Sequence, residues 1–348
     1  MHRASSWPSP WRSTTSCNGS RSVQPTPPLE DRCLPLPRYS GSRSFCLKIS
    51  ADCRQLLIEK TVDRLYKETA MNEREQTDFC FMLSALTEQK RRFLSQFAGN
   101  HLHAVSLDRM SACRISTLEA YQEFCIASPE EQELLFGACF NSTSEFFRDR
   151  WTFSLLERTF LPPMLARGVL RIWCAGCAAG QEALSLAILV EELSSISAGT
   201  SATIFATDLG PEQTLKALDG RYPRSQFRHM TIERMERWFF PDGDELQAHE
   251  ELRAKLRYTT HDLLDDLAFC PPDSIFGNFN IISCMNVLLY YNHNAQVRIL
   301  QNFRRTLAVD GLLVVAPSEV GIVNRSGLFA NVCDGPIFQV IPGERCRK

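Results

Sequence analysis

The sequence predicts an α/β protein in which a small all-helical region precedes a doubly wound domain with a mostly parallel sheet. Two observations lead to this prediction. Apolar residues recur at helical spacing from about Glu75 to Phe140. After Leu161-Pro162-Pro163 the spacing changes, and short apolar runs alternate with helical stretches, which is typical of parallel strands joined by helices.

Residues 1 to about 50 are rich in Ser, Pro and Arg and show no sustained periodicity. Such a segment buries too little apolar surface to offset the entropy lost on ordering, so we expect a disordered tail. A translation start placed too far upstream gives the same pattern, and the sequence leaves both explanations open. Cys53–Tyr66 then shows a helical pattern that predicts an extra helix before the main helical region.

The helical N-terminal domain, including this preceding helix, is predicted to occupy residues 51–140. Its strongest start signal is SPEEQELL, where Ser128 is the expected N-cap, Pro129 takes the first helical position and acidic residues fill the first turn. Its helical spacing is defined by Phe79, Met82, Leu83, Leu86, Phe93, Phe97, Leu118, Tyr121, Phe124 and the run 134–140.

The second domain is predicted to span residues 141–348. Its elements follow from the apolar runs and from the period of each run. In chain order we expect a strand in VLRIWCAG, a helix in QEALSLAILVEEL, strands in ATIFATDLG and FNIISCMNVLLYY, a helix in NAQVRILQNFRRTL and a late strand in DGLLVVAPSE. Ligands of such sheets bind at the carboxyl ends of the strands.

The composition excludes several function classes. The 348 residues are 44% hydrophobic, enough for a large core, and the formal net charge of −2 argues against a nucleic-acid binder with a basic surface. No run approaches the roughly 18 uninterrupted apolar residues of a membrane helix, and the first residues lack the apolar stretch of a signal peptide. We therefore expect a cytoplasmic protein without membrane insertion.

Fourteen cysteines are scattered along the chain. Cys139 and Cys284 lie in apolar runs, where cysteine behaves as a small buried hydrophobe, so we expect reduced thiols. Cys174 and Cys177 have CxxC spacing, but no second pair follows at zinc-finger distance, and their small neighbours are typical of a ligand-binding turn. The sequence therefore predicts no metal site.

The turn CAGCAAG, residues 174–180, joins a predicted strand to a helix. Its small residues let a ligand approach the backbone and the helix start offers N–H groups to a carboxylate, although tight packing of the turn explains the glycines equally well. Asp208 ends the next strand, where an acid can accept both ribose hydroxyls; the alternative is a cap for the helix near Pro211. Because GxxxxGK[ST] is absent from this loop, an adenosine-type cofactor without phosphates fits better than ATP.

A longer series of motifs runs from about Phe79 to Glu319: SEFFRDRWTFSLL, RIWCAGCAAGQEALSLAIL, FATDL, GRY, FF, HDLL, IISCMNVLLYY and PSE. In this order and spacing the sequence resembles the CheR methyltransferase family. The resemblance implies a small helical domain and a Rossmann-like class I methyltransferase domain with a small β-subdomain inserted at about residues 220–258. It further implies a protein-glutamate O-methyltransferase that uses S-adenosyl-L-methionine on the cytoplasmic helices of methyl-accepting chemotaxis receptors, and we expect a monomer.

Carried over by position, the family's functional residues fall on particular side chains of this sequence. Arg148 and Tyr290 are the implied catalytic residues, with Arg148 beside the reacting methyl group. Gly176, in the turn described above, is expected to form part of the cofactor pocket. The resemblance assigns the other cofactor contacts to Ser144, Arg148, Glu182, Asp208, Asp262, Leu263 and Asn286.

The sequence departs from the family pattern in ways that leave three interpretations open. The family's CRN triplet reads Cys284-Met285-Asn286, so Met285 replaces an Arg. A working receptor methyltransferase is favoured by Arg148 with Tyr290; a cofactor-binding protein with a lost or altered reaction is favoured by Met285. A class I methyltransferase with another substrate is favoured by a thin basic stripe in the helical domain, which consists of Lys90, Arg91, Arg92, Arg109 and Arg114.

Overall fold

The computed structural model describes residues 86–140, 144–194 and 201–341. All of them fall within the second of two compact units of the chain, Ser50–Lys348. The tail predicted for residues 1–50 and the helix predicted at Cys53–Tyr66 lie outside the described residues, as does the helical spacing of residues 79–83. The domain boundaries proposed above therefore stay predictions.

Four helices form the described part of the helical region: α1 Glu88–Leu94, α2 Gly99–Cys113, α3 Leu118–Ala127 and α4 Pro129–Ala138. The start of α4 confirms its sequence signal, because the Ser128 side chain accepts a hydrogen bond from the Glu131 amide and Pro129 is the first helical residue. Tyr121 and Leu135 are fully buried, whereas Phe124 is 40% exposed. Helical spacing thus identified the elements correctly, but not every apolar residue faces the core.

The residues at which the sequence period changes form a helix with an irregular middle. Helix α5, Arg150–Leu155, continues through a π-helical turn, Leu156–Phe160, into the short helix α6, Leu161–Leu165. Pro162 and Pro163 have no N–H group, so they cannot close helical hydrogen bonds to the preceding turn. The wider π turn lies immediately before these prolines.

Ten strands are present in the described residues: β1 Val169–Ala175, β2 Ser201–Asp208, β3 Arg221–Pro223, β4 Phe239–Asp242, β5 Glu245–Ala248, β6 Leu256–Thr260, β7 Phe279–Cys284, β8 Leu307–Val315, β9 Phe329–Asn331 and β10 Ile337–Val340. Seven of them form one sheet in the order β6-β2-β1-β7-β8-β10-β9. The pairs from β6 to β8 are parallel, and β10 is antiparallel to both of its neighbours. The mostly parallel sheet is confirmed.

Helices on the two faces of this sheet complete the doubly wound arrangement. The alternation within β1 shows both faces: Ile172 and Cys174 belong to one buried cluster, and Trp173 and Ala175 belong to the other. The remaining described helices are α7 Gln181–Ser194, α8 Pro211–Asp219, α9 Ile232–Trp238, α10 Glu250–Arg253, α11 His293–Thr306 and α12 Val320–Ser326. None of the helices in the described ranges is long and apolar enough to cross a membrane.

A second, smaller sheet lies in the chain between β2 and β6. Its three antiparallel strands are ordered β3-β5-β4. Phe146, which precedes the main sheet in sequence, packs on this small sheet and its flanking turn, with ring centroids 4.5 Å from Phe227 and 5.1 Å from Phe239. These contacts fix the backbone two residues before Arg148.

Some strands differ from their sequence predictions. The strand expected over the whole of FNIISCMNVLLYY ends at Cys284, because Asn286 adopts a left-handed conformation (φ 60°) and a 3₁₀ turn follows at Leu288–Tyr290. Strands β6, β9 and β10 were not predicted. They are short, and β6 and β9 are the two edge strands of the sheet, where apolar periodicity is weakest.

Candidate active site

One cleft brings together all the predicted site residues except Asp262. It opens at the carboxyl ends of β1, β2 and β7, the position expected for a ligand of a parallel sheet. The predicted residues that line it are Ser144, Arg148, Gly176, Glu182, Asp208, Leu263, Asn286 and Tyr290. Side chains from the helical region, including Phe97 and Phe140, complete the wall.

Asp262 does not line the cleft, although its neighbours His261 and Leu263 do. The Oδ1 atom of Asp262 instead accepts a hydrogen bond of 2.9 Å from the Leu264 amide, which stabilises the turn after β6. Its assignment as a cofactor contact stays a prediction. The described hydrogen bond of the Asp262 side chain is to the protein backbone.

The glycine turn after β1 is shaped by close packing. Gly176 has φ +81°, and a Cβ atom there would lie 2.4 Å from Cγ2 of Val287. Gly180 has φ +94°, and a Cβ would lie 2.8 Å from the hydroxyl of Tyr258. Both positions therefore require glycine for conformational and steric reasons, whether or not a ligand is bound.

The backbone amides of this turn are largely used within the protein. The amides of Gly176 and Cys177 both donate to the Thr207 carbonyl oxygen, at 2.8 and 2.9 Å, and the Gly180 amide donates to Cys177. The turn is thus held against the end of β2. The N–H groups that the sequence analysis expected for a ligand carboxylate belong to the helix start, which is the first turn of α7.

Asp208 fixes the glycine turn from the end of β2. Its Oδ2 accepts the amide of Ala178 at 2.8 Å, and its Oδ1 accepts the amide of Gly210 at 2.9 Å. Burial raises the pKa of Asp208, and the amide hydrogen bonds partly offset that effect. Gly210 is the N-cap residue of α8 and offers no side chain to cap that helix, and Asp208 binds the Gly210 amide, so it joins two loops.

Glu182 lies in the first turn of α7 with only 9% of its surface exposed. Its Oε1 accepts hydrogen bonds from the Ser283 hydroxyl at 2.6 Å and from the Cys174 thiol at 3.2 Å. Burial raises the pKa of Glu182 to about 7 in spite of these two donors. The side chain is therefore an acid whose ionisation changes near neutral pH.

The loop after β7 carries Asn286 and is held by Glu319, a fully buried acid that follows β8. Glu319 accepts four backbone amides: Oε2 receives Asn286 and Ala316, both at 2.9 Å, and Oε1 receives Val287 at 2.7 Å and Leu289 at 3.3 Å. Burial raises the pKa of Glu319, although the four donors oppose that shift. In the sequence Glu319 stands out only as part of the PSE motif, and this role was not predicted.

Strained backbone occurs at three points of the site. Phe147, Ala178 and Asn286 have φ values of 51°, 48° and 60°, which are unfavourable for residues other than glycine. Each of these amides is bound by a side chain; that of Phe147 donates to the hydroxyl of Ser185 at 3.1 Å. The left-handed residue at 147 directs the chain so that exposed Arg148 lines the cleft beside half-buried Asp149.

Tyr290 is joined to the helical region by backbone hydrogen bonds. Its carbonyl oxygen accepts the Ala98 amide at 2.7 Å, and its ring lies 4.8 Å from the ring of His101. The next residue, Tyr291, forms a β-bridge with Phe97. The helical region therefore positions the predicted catalytic tyrosine directly.

Met285 is 7% exposed and lines the cleft next to Asn286. Where the CRN pattern has a guanidinium, this cleft has an apolar wall. Arg148 is then the arginine that lines the cleft. A cluster of charged side chains lies beside it at the mouth, where Glu145 pairs with Arg228 and lies 3.1 Å from Nε2 of His229. Glu145, Arg228 and His229 were not predicted, because only the docking of the small sheet brings them to the cleft.

Two side chains of the basic stripe in the helical region form ion pairs within the protein. Arg109 makes a two-pronged contact with buried Glu131, at 2.9 and 2.7 Å, and Glu131 also accepts the Tyr121 hydroxyl at 2.7 Å. Lys90 pairs with Glu133 at 2.6 Å. Arg109 is therefore a structural residue of this region.

The sheet order of β6-β2-β1-β7-β8 is that of a Rossmann fold, and the cleft has a glycine turn, a strand-end acid and no phosphate-binding loop. Together these features are those of the Rossmann-like fold that class I methyltransferases use. Residues 142–332 match the family described as CheR methyltransferase, SAM binding domain. This chain belongs to the CheR methyltransferase family, and its cofactor is S-adenosylmethionine.

Curated relatives are similar over the same region. The chemotaxis protein methyltransferase of Listeria innocua is 34% identical over 181 residues, which cover 51% of this chain and 65% of that protein. The Salmonella typhimurium chemotaxis protein methyltransferase is 27% identical over 238 residues, or 67% of this chain and 77% of that protein. The chain thus spans slightly less than two thirds of the length of the Listeria relative.

Proposed function

We propose that this protein transfers the methyl group of S-adenosylmethionine to glutamate side-chain carboxylates on the cytoplasmic helices of chemotaxis receptors. The observation that carries the proposal is that Arg148 and Tyr290 line the same cleft as Glu182, Asp208 and Asn286. Family membership and the names of the relatives support the same activity. We further propose that it acts in the cytoplasm as a monomer.

The proposed step needs alignment more than acid–base chemistry. An ionised glutamate oxygen forms a bond to the methyl carbon while the carbon–sulfur bond breaks, and S-adenosylhomocysteine leaves with the electron pair on sulfur. The protein must hold the two reactants in line and remove water from the carboxylate. A guanidinium such as that of Arg148 can orient a carboxylate through its planar donors. A moderate hold is required, because the carboxylate loses its charge as the methyl group moves.

A methyl-transfer assay tests this proposal. The protein is incubated with methyl-labelled S-adenosylmethionine and receptor-containing membranes from its own source, and base-labile methyl release is measured. We expect Arg148→Ala to lower turnover far more than it weakens cofactor binding, because orientation is lost while the adenosine contacts remain. Arg224→Ala, at an exposed arginine outside the cleft lining, is the matched control. A wild type that binds cofactor normally and methylates no receptor would refute the proposal.

Met285 favours a second candidate, a cofactor-binding protein whose reaction has been lost or altered. The apolar wall at Met285 offers no charge to an incoming carboxylate. Under this alternative the wild type is inactive and Met285→Arg restores some methyl transfer. Under the first proposal the wild type is active and the same substitution keeps or raises its activity.

The internal pairing of Arg109 and Lys90 favours a third candidate, a methyltransferase with a different substrate. Fewer basic side chains are available on the helical region to bind an acidic receptor helix. Labelled cofactor offered to a lysate of the source cells with receptors removed distinguishes this alternative, because only a different acceptor would then become labelled.

A further inference from the structure

Glu182 is an ionisable group of the cleft whose ionised form is supported by hydrogen bonds and by no opposite charge among the described residues. Among the described residues no Lys or Arg pairs with it, and both of its hydrogen bonds end on Oε1. Oε2 receives no hydrogen bond within the described ranges, and the side chain lines the cleft. A buried carboxylate without a counter-charge either takes up a proton or waits for a cation from a ligand.

The two donors come from adjacent strands that are in register. Cys174 on β1 is paired with Ser283 on β7, so both side chains project from the same face of the sheet toward the first turn of α7. Ser283 and Cys174 are both 0% exposed. The carboxyl group is thus held through Oε1 by two fixed donors, and the side chain that carries Oε2 lines the cleft.

We propose that Ser283 and Cys174 are positioning residues, which fix Oε1 of Glu182 so that Oε2 accepts the ammonium group of bound S-adenosylmethionine, and that Glu182 releases a proton when the cofactor binds. This inference rests on the proposed use of the cofactor and concerns its methionine end. Before binding, the neutral acid predominates below neutral pH. Binding places a cation beside Oε2, the carboxylate forms, and the proton passes to the solvent.

The surroundings of Glu182 support this coupling. The acids that face it, Glu319 and Asp149, disfavour its ionised form, whereas Ser283 and Cys174 are the donors that favour it. Burial raises the pKa of Glu182 to about 7, which puts the proton release in the physiological range. The facing groups are Cys177, Cys284, Asp149 and Glu319.

Calorimetric titration with S-adenosylhomocysteine from pH 5.5 to 8.5 tests the inference, because this probe keeps the ammonium and lacks the sulfonium. We expect affinity to rise through pH 7 and the apparent heat to vary with the ionisation enthalpy of the buffer, as released protons require. 5′-Methylthioadenosine, which lacks the amino-acid portion, should bind with no proton release.

Variants of the two donors should move the pH midpoint in opposite directions. Ser283→Ala removes a hydrogen bond to the charged form, so the midpoint should rise by about one to two pH units. Cys174→Ser supplies a stronger donor and should lower it. Ser106→Ala, at an equally buried hydroxyl that donates to the Leu102 carbonyl oxygen at 2.8 Å, is the control and should leave it unchanged.

The outcomes separate this inference from the proposed function. If Ser283→Ala weakens binding equally at every pH, Ser283 is only a structural residue and the inference is wrong. If the wild type binds the probe without releasing a proton, the inference is also wrong, while the methyltransferase proposal stands. Proton-coupled binding with no methyl acceptor supports the inference and refutes the proposed function, whereas no binding at any pH refutes both.

Discussion

Replacing Glu182 by Gln should stabilise the cofactor-free protein at alkaline pH. The pKa of Glu182 is raised from 4.5 to about 7 in the folded state. Between these pH values the folded protein holds a proton that the unfolded chain has released, so its stability falls as pH rises toward 7 and stays lowered above it. At about 1.36 kcal/mol per pH unit, the loss is about 3 kcal/mol. Glutamine keeps the shape of the side chain, does not titrate and avoids this loss.

Urea unfolding in the absence of cofactor measures the effect. At pH 8 the free energy of unfolding of Glu182→Gln should exceed that of the wild type by up to about 3 kcal/mol, and near pH 4.5 the two should agree. Glu236→Gln, at an exposed glutamate on α9, is the control. Saturating S-adenosylmethionine should stabilise the wild type at pH 8 much more than the variant, because the variant has no charge for the ammonium.

A difference between Glu182→Gln and the wild type that is the same at pH 4.5 and pH 8 would refute the reasoning. It would show that Glu182 does not titrate in this range in the folded protein. A variant that is less stable than the wild type at pH 8 would show that the carboxylate is stabilised by a partner within the protein. In either case the ammonium would no longer be needed to explain the site.

Three further predictions concern the other residues that shape the cleft. Asp208→Ala should weaken cofactor binding by about 1 to 3 kcal/mol through loss of charge-assisted hydrogen bonds, and calorimetry that finds the affinity unchanged would exclude a contact. Gly176→Ala should destabilise the fold because its Cβ would lie 2.4 Å from Val287 in a backbone with φ +81°. Val287→Ala in the same chain should recover part of the loss, and thermal unfolding that shows strict additivity would contradict the steric explanation. Glu319→Leu should lower the free energy of unfolding by several kcal/mol, since four buried amides lose their acceptor. Glu319→Gln keeps one acceptor oxygen and should lower it less. Equal losses for the two variants in urea unfolding would argue against the hydrogen bonds.

The sequence predicted those parts of the molecule that local pattern controls. The buried central strands are nearly continuous apolar runs, so β1, β2 and β7 could be read directly, and the cap at Ser128 is a local signal that needs no tertiary information. The edge strand β6 could not be recognised in the same way, because LRYTT is half polar and faces solvent on one side.

Most of the residues assigned by motif position line one cleft, but the groups that hold them in place were not predicted. Glu319 reaches Asn286 across 33 residues of sequence, and the Ser283 hydroxyl meets Glu182 across 101. Spacing in the sequence cannot show such contacts, because they depend on how strands β7 and β8 and helix α7 come to lie side by side. For the same reason the cluster of Glu145, Arg228 and His229 was not foreseen.

The join at Tyr290 has a consequence for how molecules reach the cleft. The Ala98 amide donates a hydrogen bond to the Tyr290 carbonyl oxygen. Asn292 donates two more to the helical region, from its amide to the Gln96 carbonyl oxygen at 2.9 Å and from its side chain to the Ser95 carbonyl oxygen at 2.8 Å. Opening this side as a lid would break all of these hydrogen bonds at once. Entry and exit are instead expected past exposed Arg148, so the residue proposed to align the acceptor would also be among the charged groups that an arriving acceptor meets at the mouth.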